Sequence, residues 1–292
     1  LLMGCSQLYL VGDTRQLPPT VADQDASRDG LAASLFERLQ DAGLAPLLLD
    51  TQYRMHPALA EFSSKRFYGG RLQSAVSASD RPLPKGLRWP NAQCPLAFVS
   101  VAGLEQRAAA EAGSGDATAV GGTSLSNPSE AVAIAQILSA VLAQGELRAD
   151  QIGVITPYSA QALLLRARIG EACGGCGGYA AGGVDAGGRR KGRKGEARGE
   201  ARGEAPPAEE EQEENPSEEV VEVSSVDGFQ GREKELILFS AVRSNEAGSV
   251  GFLADERRLN VAITRARRGL VIVGNSGTLG AGSEVWRDYL RF

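Results

Sequence analysis

Histidine is nearly absent from this chain of 292 residues, in which His56 is the single example. A catalytic triad that uses histidine, or a metal site built from several histidines, could therefore form only around this residue. Cysteine is also scarce, and of the four cysteines only Cys173 and Cys176 have C-x-x-C spacing, inside a glycine-rich run. Because a zinc site needs four ligands and a redox motif needs a strand followed by a helix, this pair predicts neither kind of site.

Long hydrophobic runs are missing as well, since no apolar stretch approaches the roughly 20 residues that cross a bilayer. The opening residues, LLMGCSQLYLVGD, lack the basic start and the small-residue cleavage site of a signal peptide. We therefore predict no membrane association and an intracellular protein, with nucleus and cytoplasm both open. No initiating methionine or leader precedes the first strand pattern, so we expect the chain to be a fragment of a longer protein.

An excess of positive charge is also lacking. The chain carries a net charge of −5, but residues 173–219 hold seven basic and eleven acidic residues, a balance of −4 that leaves the remaining residues near −1. The overall charge therefore neither favours nor excludes a nucleic-acid partner, which would need only a local basic groove.

What is present is an alternation of short apolar runs with helical patterns, which predicts a parallel α/β sheet. The strand patterns are QLYLV, APLLLD, QIGVIT, ELILFSAV and GLVIVGN, and the helical patterns are LAASLFERLQDAG, a segment from about Pro57, and NPSEAVAIAQILSAVLAQG. In the last helix Asn127 is expected to be the N-cap, Glu130 has the capping-box position, and Gly145 follows the end. In such sheets the functional residues gather at the carboxyl ends of the strands.

Two segments interrupt this alternation. Residues 102–126 are rich in alanine, glycine and serine, and residues 173–219 contain glycine and arginine followed by glutamate. Their low apolar content predicts two disordered, flexible surface insertions, the second of low complexity. The GRRKGRKG run in the second is typical of an inert spacer or of a nuclear-import or RNA-contacting patch.

The segment DERRLNVAITRARRG, residues 255–269, combines many arginines with an apolar stripe on what is predicted to be a single helix. Arg258 and Arg265, seven residues apart, would share one flank of that stripe. A guanidinium at this edge could meet phosphate oxygens across a cleft, although most helix charges are simply solvated. Arg268, on another face of the predicted helix, is expected to be solvated. The stripe consists of Leu259, Ala262, Ile263 and Ala266.

Four loops next to predicted strands carry polar and aromatic residues; the first three follow a strand, and the fourth precedes the strand LILFSAV. GDTRQLPP sets an aspartate and a glutamine on a tight loop, which could sense a phosphate. QYRMHP places Tyr53 beside Arg54, and TPYSAQ offers a hydroxyl and an aromatic ring, both suited to single-stranded nucleic acid. SVDGFQGREKE adds glycines for close backbone approach. Each loop alone is equally consistent with an ordinary turn or a packed aromatic residue.

Taken in order, VGDTRQLPP, QYRMHP, TPYSAQ, SVDGFQGREKE and RRLNVAITRARRGLVIVGN resemble motifs III to VI of superfamily 1 helicases. The resemblance is to the branch that holds the nonsense-mediated decay helicase and senataxin, and it covers most of the chain outside the insertions. It implies a RecA-like α/β fold, with a parallel sheet and flanking helices. Residues 1–44 would then be the tail of a first RecA-like domain, with motif III and a connecting helix, and residues 45–292 the second RecA-like domain.

The resemblance also implies roles for the matching residues at an ATP site. Arg265 would be the arginine finger, Arg54 would reach the γ-phosphate, and Gln16 would couple that phosphate to the nucleic-acid path. Tyr53 would pack near the adenine or the ribose, and Glu233 would touch the ribose or the phosphates.

Further positions follow from the same resemblance. Gln230, next to Gly231, would help to hold the loop near the nucleotide. The residues implied to line the single-strand track are Thr156, Pro157, Tyr158, Ser225, Val226 and Arg243.

One departure from the family limits these implications. The chain has neither a G-x-x-x-x-G-K-[ST] loop nor an Asp–Glu pair directly after a strand, the elements that such helicases use to hold phosphates and Mg²⁺. In the family these elements precede motif III, so we expect ATP with Mg²⁺ as cofactor only when a missing N-terminal RecA-like domain supplies the metal ligands.

Two functions are therefore considered. The first is the C-terminal portion of an ATP-dependent helicase or translocase, inactive by itself and monomeric, with single-stranded RNA or DNA as its partner. The alternative is a nucleic-acid-binding module that lacks ATPase activity. Stacking and phosphate contacts are shared by RNA and DNA, so both nucleic acids remain open.

Overall fold

The computed structural model describes most of the chain outside the two predicted insertions. The described residues are 4, 6–19, 21, 23–107, 124–172 and 220–292. Residues 173–219, for which the sequence predicts the low-complexity insertion, lie outside them. In the part that is described, no helix is long and apolar enough to span a bilayer.

Helices and short strands are distributed along the whole described chain. The strands are β1 Thr51–Gln52, β2 Gln73–Ser74, β3 Leu96–Ser100, β4 Gln106–Arg107, β5 Leu125–Ser126, β6 Ile152–Thr156, β7 Glu222–Ser225, β8 Lys234–Ser240 and β9 Ala266–Gly274. The α-helices are α1 Gln24–Ala26, α2 Leu35–Asp41, α3 Pro57–Tyr68, α4 Pro128–Leu142, α5 Ser159–Ala172, α6 Glu256–Ile263, α7 Ser276–Gly282 and α8 Glu284–Arg291. A π-helical turn, Ser27–Leu31, follows α1.

A five-stranded sheet with the order β3-β9-β8-β6-β7 forms the centre of the fold, and each neighbouring pair is parallel. The predicted α/β class, a parallel sheet with flanking helices, is thereby confirmed. Parallel strands are covered on both faces, which is why β6, β8 and β9 are nearly continuous apolar runs. Successive residues of β6 illustrate this, since Val154 packs on one side of the sheet and Ile155 on the other.

Two hydrophobic cores result, one on each face of the sheet. Helices α3, α6, α7 and α8 contribute buried residues to the first core, with Phe62 and Trp286 as large members. Helices α4 and α5 form the second core, with Ile134, Leu138 and Leu165 fully buried. The carboxyl ends of the strands are left uncovered by these layers, and the loops that follow the strands meet there.

Helix α4 begins and ends where the sequence predicts. The Asn127 side chain accepts a hydrogen bond from the Glu130 backbone N–H at 3.2 Å, and Gly145 has the positive φ of 63° typical of a residue beyond a helix end. The reciprocal half of the capping box is absent, because the Asn127 N–H donates to Gln161 Oε1 instead. The buried Glu130 carboxylate therefore does not cap the helix and can accept hydrogen bonds from other residues.

Two predicted strands do not form. QLYLV and APLLLD have no strand partner among the described residues, and only the two residues of β1 pair after the second run. Their side chains are exposed, Val11 at 95% and Leu47 at 90%. An apolar run becomes a strand only when a neighbouring strand satisfies its backbone groups, which is why the pattern alone was misleading.

The predicted single helix over residues 255–269 is also wrong. Helix α6 ends at Ile263, and the chain enters β9 at Ala266, opposite Lys234 of β8. Pairing on both sides, with β3 and β8, satisfies the backbone groups of β9 and overrides the helical pattern. Arg265 therefore lies at a helix–strand junction, and Arg268 lies on a strand.

The predicted insertion at residues 102–126 is shorter than expected at both ends. Gln106 and Arg107 pair in antiparallel fashion with Leu125 and Ser126, so these ends form a small two-stranded sheet. Residues 108–123 lie outside the described residues.

Strands β3 and β7 were not predicted from the sequence. β3 is an edge strand of intermediate burial, and β7 has the polar sequence EVSS. Their hydrogen bonds to β9 and β6 place them in the sheet, which is information that local patterns lack.

Candidate ATP site and nucleic-acid interface

One cavity of about 420 Å³ is lined by all four residues predicted to be catalytic and by Tyr53. These residues come from the loops after residue 12, after β1, before β8 and after α6, so only the fold brings them together. The complete lining is Gln16, Gln52, Tyr53, Arg54, Met55, Ala60, Ser63, Tyr68, Leu72, Glu233, Thr264 and Arg265.

Arg265 is held at this cavity by its own helix end. Its side chain donates from Nε to the Val261 carbonyl at 2.9 Å, from Nη2 to Thr264 Oγ1 at 3.2 Å, and from Nη1 to the Arg232 carbonyl at 3.4 Å. Three of the five guanidinium N–H groups are thus used. Within the described part of the chain, no carboxylate lies within ion-pair distance of Arg265.

The electrostatic environment of Arg265 is unusual for an arginine. Its relative exposure is only 4%, and burial, followed by the nearby charge of Arg54, lowers its pKa to about 10. The side chain is still protonated at neutral pH. A buried cation bound only to neutral acceptors is incompletely compensated, so this position favours a bound anion.

Arg54 is the second cation of the cavity. Its Nε donates to the Glu233 carboxylate, and its Nη1 donates to the Thr264 carbonyl at 2.9 Å. The Gln52 side chain accepts hydrogen bonds from the N–H groups of Arg54 and Met55, which fixes the turn that carries the arginine. Glu233 therefore orients Arg54, a contact that the sequence did not predict.

A hydrogen-bond network that the sequence analysis missed links Gln16 to helix α6. Asp13 Oδ2 accepts from Gln16 Nε2 at 2.7 Å and from the Tyr68 hydroxyl at 2.6 Å. Tyr68 in turn accepts from Asn260 Nδ2 at 3.0 Å, and Asn260 Oδ1 accepts from Ser63. Burial, followed by the Asp13 carboxylate, raises the pKa of Tyr68 to about 12. The network thus connects the loop that carries Gln16 with helices α3 and α6.

Gln230 and Gly231 lie on the loop before β8 but not at the cavity. Gln230 is exposed, and Gly231 has a φ of 80°, a backbone conformation that the glycine allows. Of the predicted residues in this loop, only Glu233 reaches the cavity.

The residues implied for the single-strand track do meet at the carboxyl edge of the sheet, at the ends of β6, β7 and β8. Thr156, Tyr158, Val226 and Arg243 are nevertheless buried there, and Pro157 and Ser225 are only partly exposed. The Tyr158 hydroxyl accepts a long hydrogen bond of 3.4 Å from Arg243. Most of these side chains therefore pack inside the edge of the sheet and project little into solvent.

Arg243 is fixed by an acidic residue from the segment before residue 108. Glu105 Oε2 accepts from Arg243 Nε at 2.9 Å, from the Ser244 N–H at 2.7 Å and from Asn245 Nδ2 at 3.1 Å. Burial opposes ionisation of Glu105, but these hydrogen bonds outweigh it and lower its pKa below the ordinary value.

The backbone just before Arg243 is strained. Val242 has a φ of 70°, rare for a β-branched residue, and the Arg243 N–H donates to the Ala241 carbonyl at 2.8 Å in a γ-turn. Glu130 accepts from the Val242 N–H at 2.8 Å, and Asn127 donates to the Val242 carbonyl at 3.1 Å. Residues at the start of α4 thus stabilise, by hydrogen bonds, the strained turn that orients the Arg243 side chain.

His56 has a structural position. It is buried, it caps α3 by accepting from the Ala58 N–H through Nδ1, and burial lowers its pKa. It also borders a larger cavity of about 860 Å³ against α3, which none of the predicted site residues lines. The larger cavity is therefore not the candidate site.

Comparison with known proteins agrees with this arrangement of motifs. A protein-family model described as "AAA domain" matches residues 31–277.

Several curated proteins are similar over nearly the whole chain. The chain is 38% identical over 292 residues to "Regulator of nonsense transcripts 1 homolog" of Drosophila melanogaster, covering 100% of this chain and 20% of that protein. It is 41% identical to the protein of the same name from Arabidopsis thaliana, covering 99% and 19%. It is 37% identical to "ATP-dependent helicase NAM7" of Saccharomyces cerevisiae, covering 99% and 25%. The chain thus spans a quarter or less of the length of these relatives.

Proposed function

Because this chain belongs to the AAA domain family, among the superfamily 1 helicases of nonsense-mediated decay type, we propose that it is the C-terminal portion of an ATP-dependent RNA or DNA helicase or translocase. In this role it supplies the arginine finger and part of the single-strand path. The observation that carries the proposal is the single cavity around Gln16, Arg54, Glu233 and Arg265, which are separated by up to hundreds of residues in sequence.

The residues at the cavity fit a polyphosphate. Arg265 has N–H groups that no described residue accepts, and Arg54 brings a second planar guanidinium to the same space. Tyr53, which is 69% exposed at the rim, offers a ring for the base or the ribose. When bound, ATP supplies the phosphoryl group whose hydrolysis drives movement along a strand.

Arg265 acts by its charge in this proposal. Its hydrogen bonds to the Val261 and Arg232 carbonyls fix the guanidinium plane, so little reorganisation is needed when negative charge develops on the phosphoryl oxygens. Arg54 binds an oxygen of the same group and is oriented by Glu233. Gln16 passes the state of this site to helix α6 through Asp13, Tyr68 and Asn260.

The described residues do not form a metal site of their own. Among them, no group of three histidine, cysteine, aspartate or glutamate side chains could hold a metal ion. We propose that a domain outside this chain supplies the ligands for Mg²⁺.

The alternative function, a nucleic-acid-binding module without ATPase activity, would use the same carboxyl edge of the sheet. It gives no reason for an incompletely compensated buried arginine beside a second arginine. We therefore favour the motor.

A chimera tests the proposal. The matching region of the Saccharomyces relative is replaced by this chain, and ATP hydrolysis is measured with and without single-stranded RNA or DNA. We expect the chimera to hydrolyse ATP with stimulation by nucleic acid, and the chain alone to hydrolyse it barely. A folded chimera that binds single strands without hydrolysing ATP would support the binding module instead.

A further inference from the structure

Phe252 exposes its ring on a turn whose other large apolar residues are buried. It is 55% exposed, whereas Val250 and Leu253 in the same turn are each 4% exposed. The Trp286 indole N–H donates to the Leu253 carbonyl at 2.9 Å, which ties this turn to helix α8. Packing thus accounts for the neighbours of Phe252 but not for its own outward position.

The Phe252 ring lies next to residues at the carboxyl edge of the sheet. The Phe252 ring centroid lies 5.6 Å from that of Tyr158, which follows β6. Arg258 lies over the ring, with Cζ 5.4 Å from its centroid. Arg258 is held in turn by Asp255 at 3.3 Å and by Asp227, which follows β7, at 3.7 Å. An aromatic ring and a cation therefore stand together among the loops of the proposed single-strand path.

The turn that carries Phe252 packs closely against this edge. Gly251 has a φ of 53°, and a Cβ at this position would lie 2.3 Å from Arg243 Nη1 and 2.9 Å from the Tyr158 hydroxyl. Only glycine lets the backbone press so closely against these two side chains. The backbone that carries Phe252 therefore packs directly against Arg243 and Tyr158 at this edge.

We propose that Phe252, together with Arg258, is a stacking platform for a base of single-stranded nucleic acid. The inference rests on the proposed function and deepens it by naming a base contact. Bases stack on aromatic rings and on guanidinium planes without regard to sequence. Tyr158, the aromatic residue of this edge that the sequence suggested, is only 3% exposed and cannot offer its ring face in this structure.

Binding of the 292-residue chain to labelled single strands tests the platform. The probes are oligouridylate, oligothymidylate and an abasic oligonucleotide of equal length, which has the phosphates but no bases. Phe252→Ala should weaken binding of the two base-containing strands by roughly 5- to 100-fold. Binding of the abasic strand, and the salt dependence of binding, should not change, because phosphate contacts remain.

Conservative variants separate stacking from general packing. Phe252→Tyr should bind like the parent, whereas Phe252→Leu, which keeps apolar bulk without a ring, should bind like Phe252→Ala. Phe252→Trp adds a fluorescent ring at this position, and its emission should be quenched when a base-containing strand binds. Leu163→Ala, at a position that is also 55% exposed but lies on α5, is the matched control and should bind like the parent.

The outcomes distinguish this inference from the proposed function. Parental binding by Phe252→Ala, or an equal loss for base-containing and abasic strands, overturns the platform and leaves the helicase proposal intact. Failure of the parent chain to bind any single strand counts against both.

Discussion

Arg265 carries a buried positive charge for which the described residues supply only neutral acceptors. Such a charge is costly in the free protein. In the proposed site, attraction to the phosphate oxygens offsets this cost, and it does so most fully when negative charge develops on them in the transition state.

Replacing Arg265 should therefore affect catalysis more than binding. In the chimera described above, Arg265→Ala should lower kcat by roughly 10³- to 10⁵-fold, as arginine fingers do, with a much smaller change in ATP affinity. Arg265→Lys should rescue poorly, because a point charge cannot match the planar guanidinium. Single-turnover and steady-state ATPase rates provide the measurement.

Arg168 is the matched control for this experiment. It is an exposed arginine on α5 whose only ion-pair partner among the described residues is Glu171, one helical turn away. Arg168→Ala should keep the parental rate. An Arg265→Ala chimera that hydrolyses ATP at close to the parental rate would remove the arginine-finger role.

Glu130 is a second buried residue whose pKa differs from its ordinary value. Burial raises its pKa to about 7, despite hydrogen bonds from Ser240 and Val242 that favour the ionised carboxylate. The folded protein thus keeps this proton to a higher pH than the unfolded chain does. The stabilising contribution is complete below the unfolded pKa, near 4.5, and is lost as the pH rises through about 7.

Urea unfolding at a series of pH values tests this assignment. The Glu130 contribution should lower the free energy of unfolding by on the order of 3 kcal/mol between about pH 4.5 and pH 8. Glu130→Gln keeps an acceptor for Val242 and cannot ionise, so its stability should lack this component. Identical pH profiles for the two proteins would show that Glu130 does not titrate in this range.

At the scale of elements, the junction between α6 and β9 decides where the arginines point. Arg268, predicted to be solvated on a helix face, is on β9 and donates to the Pro82 carbonyl and to Glu146. Its side chain is only 13% exposed. The strand thus tethers the segment before β3 and the loop after α4, and the earlier expectation of a solvated arginine is wrong.

Arg268→Ala should consequently destabilise the protein. Loss of two hydrogen bonds by a charged and mostly buried donor costs about 1–3 kcal/mol. The exposed pair Arg168 with Glu171 again provides the comparison, because its loss should cost about 0.5 kcal/mol or less. Chemical denaturation of both alanine variants measures the difference, and equal effects would show that burial of the Arg268 pair contributes nothing.

At the scale of the whole molecule, the folded part is expected to be independent of residues 173–219. The composition of this segment predicts little apolar burial. On either side of it, α5 already packs against the sheet and β7 is already paired within it. Replacing residues 173–219 by a short glycine–serine linker should leave the melting temperature nearly unchanged. A large decrease, measured by calorimetry, would mean that the segment packs on the core.

The sequence predicted those elements of the fold whose sequence pattern lies within a single segment. Strands β6 and β8 and helices α3 and α4 were predicted because their apolar periodicity and caps lie within the element itself. The strand patterns at QLYLV and APLLLD failed because pairing depends on distant segments. The same reason explains why β3 and β7 were missed.

The residues of the candidate site also fall into two groups, those with a local sequence pattern and those that only the fold connects to the site. Motif resemblance identified Gln16, Arg54, Glu233 and Arg265, and the structure brings all four to one cavity. Tyr68 and Asn260 were missed, because on their own helices they have the appearance of ordinary packing residues. Only their hydrogen bonds across the fold indicate their connection to Gln16.

The sequence by itself determined the α/β class, the family and the order of the motifs, since these follow from local periodicity and from residue types in short segments. Tertiary structure alone decided that α6 ends at Ile263, that Arg265 is buried at a junction, and that Tyr158 is covered while Phe252 is exposed. The physical reason is that burial and hydrogen-bond partners are properties of neighbours in space. A segment of sequence specifies what it can contact, but the packed sheet selects which contacts form.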